Sequence, residues 1–388
     1  MTDPSTGVSR AWVEVDEGAL RRNLRRVLHA APGSAALPML KANAYGLGMG
    51  PVLEMVRREL AESELWAAGV AAVAEGEELR RLGWRGRAVV FAPVPPGEYA
   101  RAAQADLTLA LSETAAVRRW AQAARAVGRR LAFHTEIDTG MGRAGFPAAG
   151  AAEWGREVME ASADLLAWQG CFTHFHSADE PDLAPTDEQH ARLLDALERL
   201  PAVPGRRVIH SANSAAAVRR GGFGGDVVRP GIFLYGGSAG PGASPEAVAS
   251  LRARIALVRP VPPGSTCGYG ATYTATREER WGTVAIGYGD GLPRALGTAG
   301  GEAIVRGRKV PIRGRVSMDM TVVDLTDLPE VEAGDVATFI GRDGEAAIMV
   351  DEVAARAGTI SYEVLTGLGT RLPRVYLPPQ GTEPPSAA

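Results

Sequence analysis

The chain has 388 residues, 46% of them hydrophobic and 22% charged, with a formal net charge of −3. This is the composition of a globular enzyme. The absence of a long basic block argues against a nucleic-acid partner, and two cysteines, Cys171 and Cys267, are too few for a disulfide framework. The polar N-terminus and the lack of an apolar run of about 18 residues predict neither a signal peptide nor a membrane span, and favour a cytoplasmic protein.

The first two thirds of the chain alternate between two kinds of segment. The opening stretch AWVEVDEGALRRNLRRVL predicts a strand, which could pair with either part of the protein, and an amphipathic helix. Short apolar runs then alternate with segments of helical period up to about residue 237. This alternation predicts a (β/α)8 TIM-type barrel over residues 1–240. The eight predicted strands are 38–40, 66–73, 87–93, 107–111, 131–137, 168–175, 207–212 and 227–236.

The last third has a different pattern. After the Gly/Pro-rich segment GGSAGPGASPEAVAS, strands and turns dominate and no long helical period remains. This predicts a C-terminal, mostly antiparallel β domain over residues 245–378. Residues 379–388 are rich in proline and polar side chains and are expected to form a disordered tail.

Lysine is rare in this chain. Only Lys41 and Lys309 are lysines among the 42 basic residues. Unlike arginine, lysine readily loses its proton and attacks a carbonyl, so Lys41, directly after an apolar strand, suits a Schiff base with an aldehyde cofactor. The alternative is a surface amine, which is how we interpret Lys309 between its neighbouring arginines.

Ionisable side chains end five of the predicted strands. Lys41, Glu136, His174, His210 and Arg229 all lie at such ends, where barrel enzymes carry their chemistry. Polar residues begin loops in any fold, so one such residue means little, but five together favour an active site.

Two short segments are suited to holding a phosphate. Asn213 and Ser214 precede a predicted helix, and Gly231-Ile232 allows close approach to the backbone. Each signal is weak alone, but together they predict one phosphate near Lys41.

Nine blocks resemble, in order, the signature motifs of the alanine racemase family. They cover about residues 38 to 370. The resemblance implies a fold-type III enzyme that uses pyridoxal 5′-phosphate (PLP) and interconverts L- and D-alanine through an external aldimine, supplying D-alanine for peptidoglycan. It also implies a head-to-tail homodimer with shared active sites. The blocks are KANAYGLG, IDTGMGRAGF, FTHFHSADE, HSANSAA, VRPGIFLYG, CGYGATY, AIGYGDG, GRVSMDM and TISYEVL.

The resemblance also implies roles for individual residues. Lys41 would carry the cofactor and act as one base, and Tyr269 of the partner subunit would be the other, assisted by His174. Arg143 and the backbone N–H of Met318 would hold the substrate carboxylate, and no metal is implied. The implied or predicted cofactor contacts are Tyr45, His174, Asn213, Ser214, Arg229, Gly231, Ile232 and Tyr362; the supporting residues are Glu136 and His210; the entrance residues are Asp179, Tyr288, Arg294, Arg315 and Ile360.

Three positions depart from the family pattern. Leu47 replaces a common histidine, with small effects expected. Glu136 stands where many members carry a carbamylated lysine. Our hypothesis is that its carboxylate replaces the carbamate and orients Arg143, the alternative being an exposed glutamate at a strand end. His176 has no assigned role beyond packing.

Other activities remain open at this point. A racemase of another small amino acid, such as serine, is the closest alternative, because a pocket discriminates weakly against one added hydroxyl. A non-catalytic PLP-carrying protein is a second, although the C-terminal region with Tyr269 argues against it. A PLP decarboxylase is disfavoured, because Arg229 would leave the pyridine nitrogen unprotonated and the electron sink weak.

Overall fold

The computed structural model describes residues 9–379. The predicted disordered tail lies, apart from Pro379, outside these residues. The strands are β1 Ala11–Asp16, β2 Ala35–Ala36, β3 Ala68–Val70, β4 Ala88–Val90, β5 Thr108–Leu111, β6 Leu131–Asp138, β7 Phe146–Pro147, β8 Leu166–Phe172, β9 Val208–His210, β10 Val227–Val228, β11 Ala249–Val261, β12 Thr266–Cys267, β13 Tyr273–Thr274, β14 Glu279–Val284, β15 Glu302–Val305, β16 Arg308–Arg313, β17 Thr321–Asp324, β18 Val336–Asp343, β19 Ala346–Ile348 and β20 Arg374–Leu377. The α-helices are α1 Glu17–Ala30, α2 Lys41–Tyr45, α3 Met49–Glu59, α4 Val73–Arg81, α5 Tyr99–Gln104, α6 Thr114–Val127, α7 Ala151–Ser162, α8 Ala184–Arg199, α9 Ser214–Arg219, α10 Val350–Ala357 and α11 Ser361–Thr366.

Parallel strands in the first two thirds of the chain form the predicted barrel. Six strands pair in the order β3-β4-β5-β6-β8-β9, and β10 pairs in parallel with β2. Isolated parallel bridges join this pair to both ends of the six-stranded sheet: Ala36 to Leu65, Met39 to Gly69, and Asn213 to Arg229. The ring therefore contains eight strands. The helices between them cover its outside, which is why strands such as β4 and β5 are buried along their whole length.

The first and last barrel strands are shorter than the sequence pattern predicted. β2 covers 35–36 rather than 38–40, and β10 ends at 228 rather than 236. Pro38 and Pro230 interrupt these runs because proline has no N–H to donate to a sheet. The carbonyl of Pro38 still accepts a hydrogen bond from Gly69 N–H at 3.0 Å, and that of Pro230 accepts one from Met39 N–H at 2.8 Å. Beyond the ends of β2 and β10, the two segments therefore pair with their neighbours only through isolated bridges.

The last third of the chain forms a mostly antiparallel sheet. Its strand order is β19-β18-β15-β16-β17-β14-β11-β1-β20, and a further pairing of β11 with β18 closes six of these strands into a ring. β1 is antiparallel to β11 and parallel to β20. The opening strand thus joins the C-terminal sheet, and the chain then enters the barrel through α1, whose first turn is capped by Asp16. Among residues 9–379, no helix has the length and apolar character needed to span a membrane.

Candidate active site

A cavity of about 130 Å³ lies at the carboxyl ends of the barrel strands. We call it the Lys41 cavity. It brings together most of the predicted cofactor, substrate and supporting residues. Their neighbours Met39, Phe91 and Phe172 complete its wall. These three were not predicted, because an apolar side chain at a strand end does not by itself indicate a functional site. The predicted residues that line it are Lys41, Tyr45, Glu136, Arg143, His174, Asn213, Ser214, Arg229, Gly231, Ile232 and Tyr362.

The short segment α2 makes a left-handed turn after Lys41 and is not a regular right-handed helix. Residues 42–45 have φ angles of 51° to 55° although none is glycine, a conformation that costs an L-residue roughly 1–2 kcal/mol. Contacts on both sides hold this turn: Glu75 Oε1 accepts from Ala42 N–H at 2.6 Å, and Asn43 Oδ1 accepts from Met49 N–H at 2.8 Å. Backbone strain maintained by specific contacts is typical of a functional site.

The last strand of the C-terminal sheet also supports this turn. Arg374 Nε donates to Gly46 O at 3.0 Å, and its other nitrogens donate to the carbonyls of Leu368, Gly369 and Leu372. The hydroxyl of Tyr376 donates to Leu47 O at 2.8 Å. β20 therefore connects the segment after Lys41 to the end of α11, the helix that carries Tyr362.

The electrostatic environment of Lys41 favours the free amine. Burial lowers the pKa of Lys41, and the positive charges of Arg143 and Arg229 lower it further, against an opposing effect of Glu75. A neutral amine is the form that attacks an aldehyde and accepts a proton. Lys309, in contrast, lies 3.6 Å from Glu352 in a partly exposed ion pair.

Backbone and hydroxyl groups meet at one end of the cavity. Ser214 Oγ accepts from Gly231 N–H at 2.8 Å. A Cβ on residue 231 would lie 2.5 Å from the hydroxyl of Tyr45, so glycine is required for this approach. Across the described part of the chain, the buried N–H of Ile232 finds no acceptor. Because buried N–H groups are rarely left unpaired, this end is suited to an oxyanion.

Arg229 is a buried cation held mainly by neutral acceptors. Its Nη1 donates to His210 Nδ1 and O, both at 2.9 Å, and its Nη2 donates to Thr173 O at 2.9 Å and Ser211 O at 3.0 Å. Burial lowers the pKa of Arg229 to about 10, so the side chain remains charged at neutral pH. Within residues 9–379, Nε has no hydrogen-bond acceptor, which leaves one N–H for a group in the cavity.

Two buried histidines lie behind Arg229. Arginine can only donate, so His210 Nδ1 accepts and its Nε2–H donates to His134 Nδ1 at 2.8 Å. Burial lowers the pKa of His134 to about 3 and that of His210 well below its usual range. Burial likewise lowers the pKa of His174, which lines the cavity, to about 3. All three rings are therefore neutral, and His134 is a site neighbour that we did not predict.

Glu136 is buried, with an exposed fraction of 4%. It lies inside β6 rather than at its end, so the alternative of an exposed glutamate at a strand end is wrong. Burial raises the pKa of Glu136, and the charges of Arg143 and Arg229 oppose that change. Among the described residues, no ion pair within 4 Å joins Glu136 to Arg143, so the coupling between the two acts through space.

Tyr269 and Met318 do not line the Lys41 cavity. They lie on a separate hollow formed by Gly268, Tyr269, Ser317, Met318, Asp319 and Met320, which we call the Tyr269 surface. Both side chains are exposed, to 67% and 52%. A single chain therefore brings only one of the two predicted bases to the cavity.

The predicted entrance residues are divided between the same two places. Burial raises the pKa of Tyr362, in the Lys41 cavity, and the negative charge of the nearby Asp179 raises it further. Ile360 is the N-cap of the helix that carries Tyr362. Tyr288 N–H donates to Ser317 O at 3.0 Å, beside Met318. Arg315 packs against Gly268 and Gly270, on either side of Tyr269, and Arg294 begins the 3-10 turn Arg294–Gly297 that packs on Arg315.

Comparison with known families accounts for both parts of the molecule. Residues 15–239 match the family model described as "Alanine racemase, N-terminal domain", and residues 248–376 match "Alanine racemase, C-terminal domain". The chain belongs to the alanine racemase family. The two matches together span residues 15–376, which agrees with the nine sequence blocks extending from the barrel into the C-terminal sheet.

Individual members of the alanine racemase family resemble this chain over nearly its whole length. The alanine racemase of Halothermothrix orenii is 36% identical over 377 residues, covering 94% of this chain and 96% of that protein. The crystal structure of alanine racemase from D-cycloserine-producing Streptomyces lavendulae has a TM-score of 0.87 at 34% identity, with 95% and 97% coverage. A structure from Bartonella henselae, described with covalently bound pyridoxal phosphate, has a TM-score of 0.85 at 25% identity, with 95% and 100% coverage.

Proposed function

We propose that this protein is a PLP-dependent alanine racemase that interconverts L- and D-alanine by proton transfer at Cα. The observation that carries the proposal is the placement of Lys41: a lysine whose pKa is lowered by burial, in a cavity at the barrel strand ends of a chain from this family. A cytoplasmic location and the supply of D-alanine for peptidoglycan complete the proposal.

The donors in the cavity fit PLP. The Lys41 amine would bind the aldehyde carbon. Ile232 N–H and the hydroxyls of Tyr45, Ser214 and Tyr362 would hold the phosphate at the end where a buried N–H needs an acceptor. The unpaired Nε–H of Arg229 would donate to the pyridine nitrogen.

The protein's own groups then perform the acid–base work. PLP supplies the electron delocalisation that makes the Cα–H of an amino acid acidic. Inversion needs one base on each face of Cα, so Lys41 would move the proton on one face and Tyr269 of the partner subunit on the other. Arg143 and the N–H of Met318 would hold the substrate carboxylate. Arg229 would donate a hydrogen bond to the ring nitrogen while keeping its own proton, because a guanidinium is a much weaker acid than a pyridinium. The ring nitrogen would then stay unprotonated and the electron sink weak, which favours proton return over other reactions.

The separation of Lys41 from Tyr269 supports a homodimer with shared sites. The Tyr269 surface is exposed in the single chain and carries the Tyr269 phenol and the Met318 backbone N–H, both of which the proposed reaction would use. A head-to-tail pair would place this surface over the Lys41 cavity of the second copy, in the manner of closed two-fold assemblies.

Mixing two inactive variants tests the shared site. We expect Lys41→Ala and Tyr269→Phe each to lose activity, whereas a mixture dissociated and reassociated at equal concentration recovers about one quarter of wild-type activity, because half of the dimers then hold one intact site. Reassociated single variants are the control. A mixture as inactive as its components would show that the two residues do not act across chains.

A substrate panel tests the reaction itself. We expect a visible absorbance band on adding PLP, covalent attachment at Lys41 after borohydride reduction, and D-alanine from L-alanine. Lys41→Arg, which keeps the charge but not the amine chemistry, is the control. Faster conversion of serine than of alanine would reassign the substrate, and cofactor binding without racemisation of any amino acid would indicate a PLP-carrying protein.

A further inference from the structure

One fully buried polar side chain connects the two loops that carry His174 and Arg143. Gln189 lies on α8, an outer helix of the barrel, and its exposed fraction is 0%. Its Oε1 accepts from His176 N–H at 3.0 Å, and its Nε2 donates to His174 O at 3.3 Å and to Thr139 Oγ1 at 3.2 Å. Gln189 thus contacts the segment after β8 and the segment after β6 simultaneously.

The segment after β6 leads directly to Arg143. Thr139 Oγ1 also shares a 2.7 Å hydrogen bond with Thr173 Oγ1, and Arg192, one turn along α8, donates to Thr139 O at 2.8 Å. A Cβ on Gly140 would lie 3.3 Å from Arg192 Nη1 and 3.8 Å from Gln189 Cγ. This loop therefore packs tightly on α8 through its backbone.

Arg143 itself has few constraints. Its side chain lines the Lys41 cavity, but within residues 9–379 it makes no hydrogen bond or ion pair to another side chain. The loop backbone therefore sets the position of its Cα, and with it the region that the guanidinium can reach. A misplacement of a substrate-binding group by about 1 Å can cost one to two orders of magnitude in activity.

We propose that Gln189 is a positioning residue, which fixes the Arg143 loop relative to His174 and thereby sets the affinity of the site for the substrate carboxylate. This inference rests on the proposed function, in which Arg143 binds that carboxylate. It also gives His176 a role through its backbone: the N–H of residue 176 anchors Gln189, and the imidazole is not needed for the connection.

Gln189→Met tests the inference, because methionine keeps the volume and removes all three hydrogen bonds. We expect KM for L-alanine to rise about tenfold, with kcat changed less than about twofold. The dissociation constant of propionate, which is alanine without its amino group, should rise by a similar factor in calorimetric titration of the PLP-loaded protein. The matched control is Thr186→Val on the same helix, where a buried hydroxyl without a partner is removed and both constants should stay at wild-type values.

Thr139→Val provides a second route if Gln189→Met does not fold, because it removes the loop's side of the same hydrogen bond. KM and the propionate constant within twofold of wild type in a folded variant would overturn the inference, as would a loss of kcat with KM unchanged. Absence of racemisation by the wild-type protein would instead defeat the proposed function, whatever the variants do.

Discussion

The Lys41 cavity and the Tyr269 surface differ in how much of their geometry a single chain provides. Around Lys41, buried side chains, a strained turn and β20 of the C-terminal sheet fix the groups in place. On the Tyr269 surface, Tyr269, Met318 and Met320 are each more than half exposed. The cavity thus contains every proposed cofactor contact, and the surface is suited to contact a second copy. We therefore expect substitutions on the Tyr269 surface to lower activity with little change in stability, and substitutions of the residues that support the Lys41 cavity to lower stability.

The largest expected effect is on the exposed side. We expect Tyr269→Phe to lower racemisation in both directions by about 10² to 10⁴-fold, the usual contribution of a general acid or base. The free energy of unfolding should change by less than about 0.5 kcal/mol, because within residues 9–379 the Tyr269 hydroxyl makes no hydrogen bond. Rates measured from L- and D-alanine, with urea unfolding in parallel, check this. The control is Met320→Leu, which keeps an exposed apolar side chain on the same surface. Full activity in either direction would contradict the two-base scheme.

For Arg374, which supports the Lys41 cavity, we expect a substitution to lower the free energy of unfolding. Arg374→Met leaves four carbonyls without their cationic donor, at a cost of about 3 kcal/mol in the free energy of unfolding. Urea unfolding measures this. Arg308→Met, which loses one exposed bond to Asp327 O, is the matched control. Equal stability of the two variants would mean that β20 does not hold the turn after Lys41.

Acid should destabilise the barrel more than the C-terminal sheet, because all six histidines lie between residues 29 and 210. Burial lowers the pKa of His134 to about 3, so below about pH 6.5 the unfolded chain binds a proton that the folded chain does not. The stability from His134 is therefore present above about pH 6.5 and is lost as the pH falls toward 3. We expect a loss of about 2 kcal/mol from this residue alone between about pH 7 and about pH 5.

Urea unfolding of the wild type and of His134→Gln at the two pH values measures the effect. Because the variant lacks this titrating group, its free energy of unfolding should fall by about 2 kcal/mol less than that of the wild type between about pH 7 and about pH 5. An identical dependence in wild type and variant would show that His134 does not remain neutral in the folded protein.

The sequence predicted the barrel and most of the cavity for one physical reason. The carboxyl ends of parallel strands meet at one end of a barrel, so Lys41, His174 and Arg229 could be placed together without knowing any contact. The same rule placed Glu136 at a strand end, whereas it lies within β6 and is buried. An apolar run alone does not show where pairing stops, and the prolines at 38 and 230 shortened two other strands.

Side chains that act through other groups could not be predicted in this way. Gln189 is one polar residue in a helix of ordinary pattern, and only the three-dimensional packing of α8 on two loops shows its contacts. Arg374 reaches Gly46 across 328 residues. His134 could have been suggested by its place in β6, two residues before Glu136, since alternate residues share one face of a strand.

The smallest of these effects concerns Glu136, where the structure allows a carboxylate to act on Arg143 only through space. If it replaces the carbamate of other family members, Glu136→Gln should lower kcat/KM about tenfold, equivalent to about 1.4 kcal/mol, by removing the negative charge near Arg143. Wild-type activity should not depend on bicarbonate. Steady-state kinetics with and without added bicarbonate measure kcat/KM of the wild type and of the variant.

Glu136→Asp is the matched control, since it keeps the negative charge in the cavity. Activity that rises with bicarbonate in the wild type, or a Glu136→Gln variant as active as Glu136→Asp, would show that the carboxylate does not have this role.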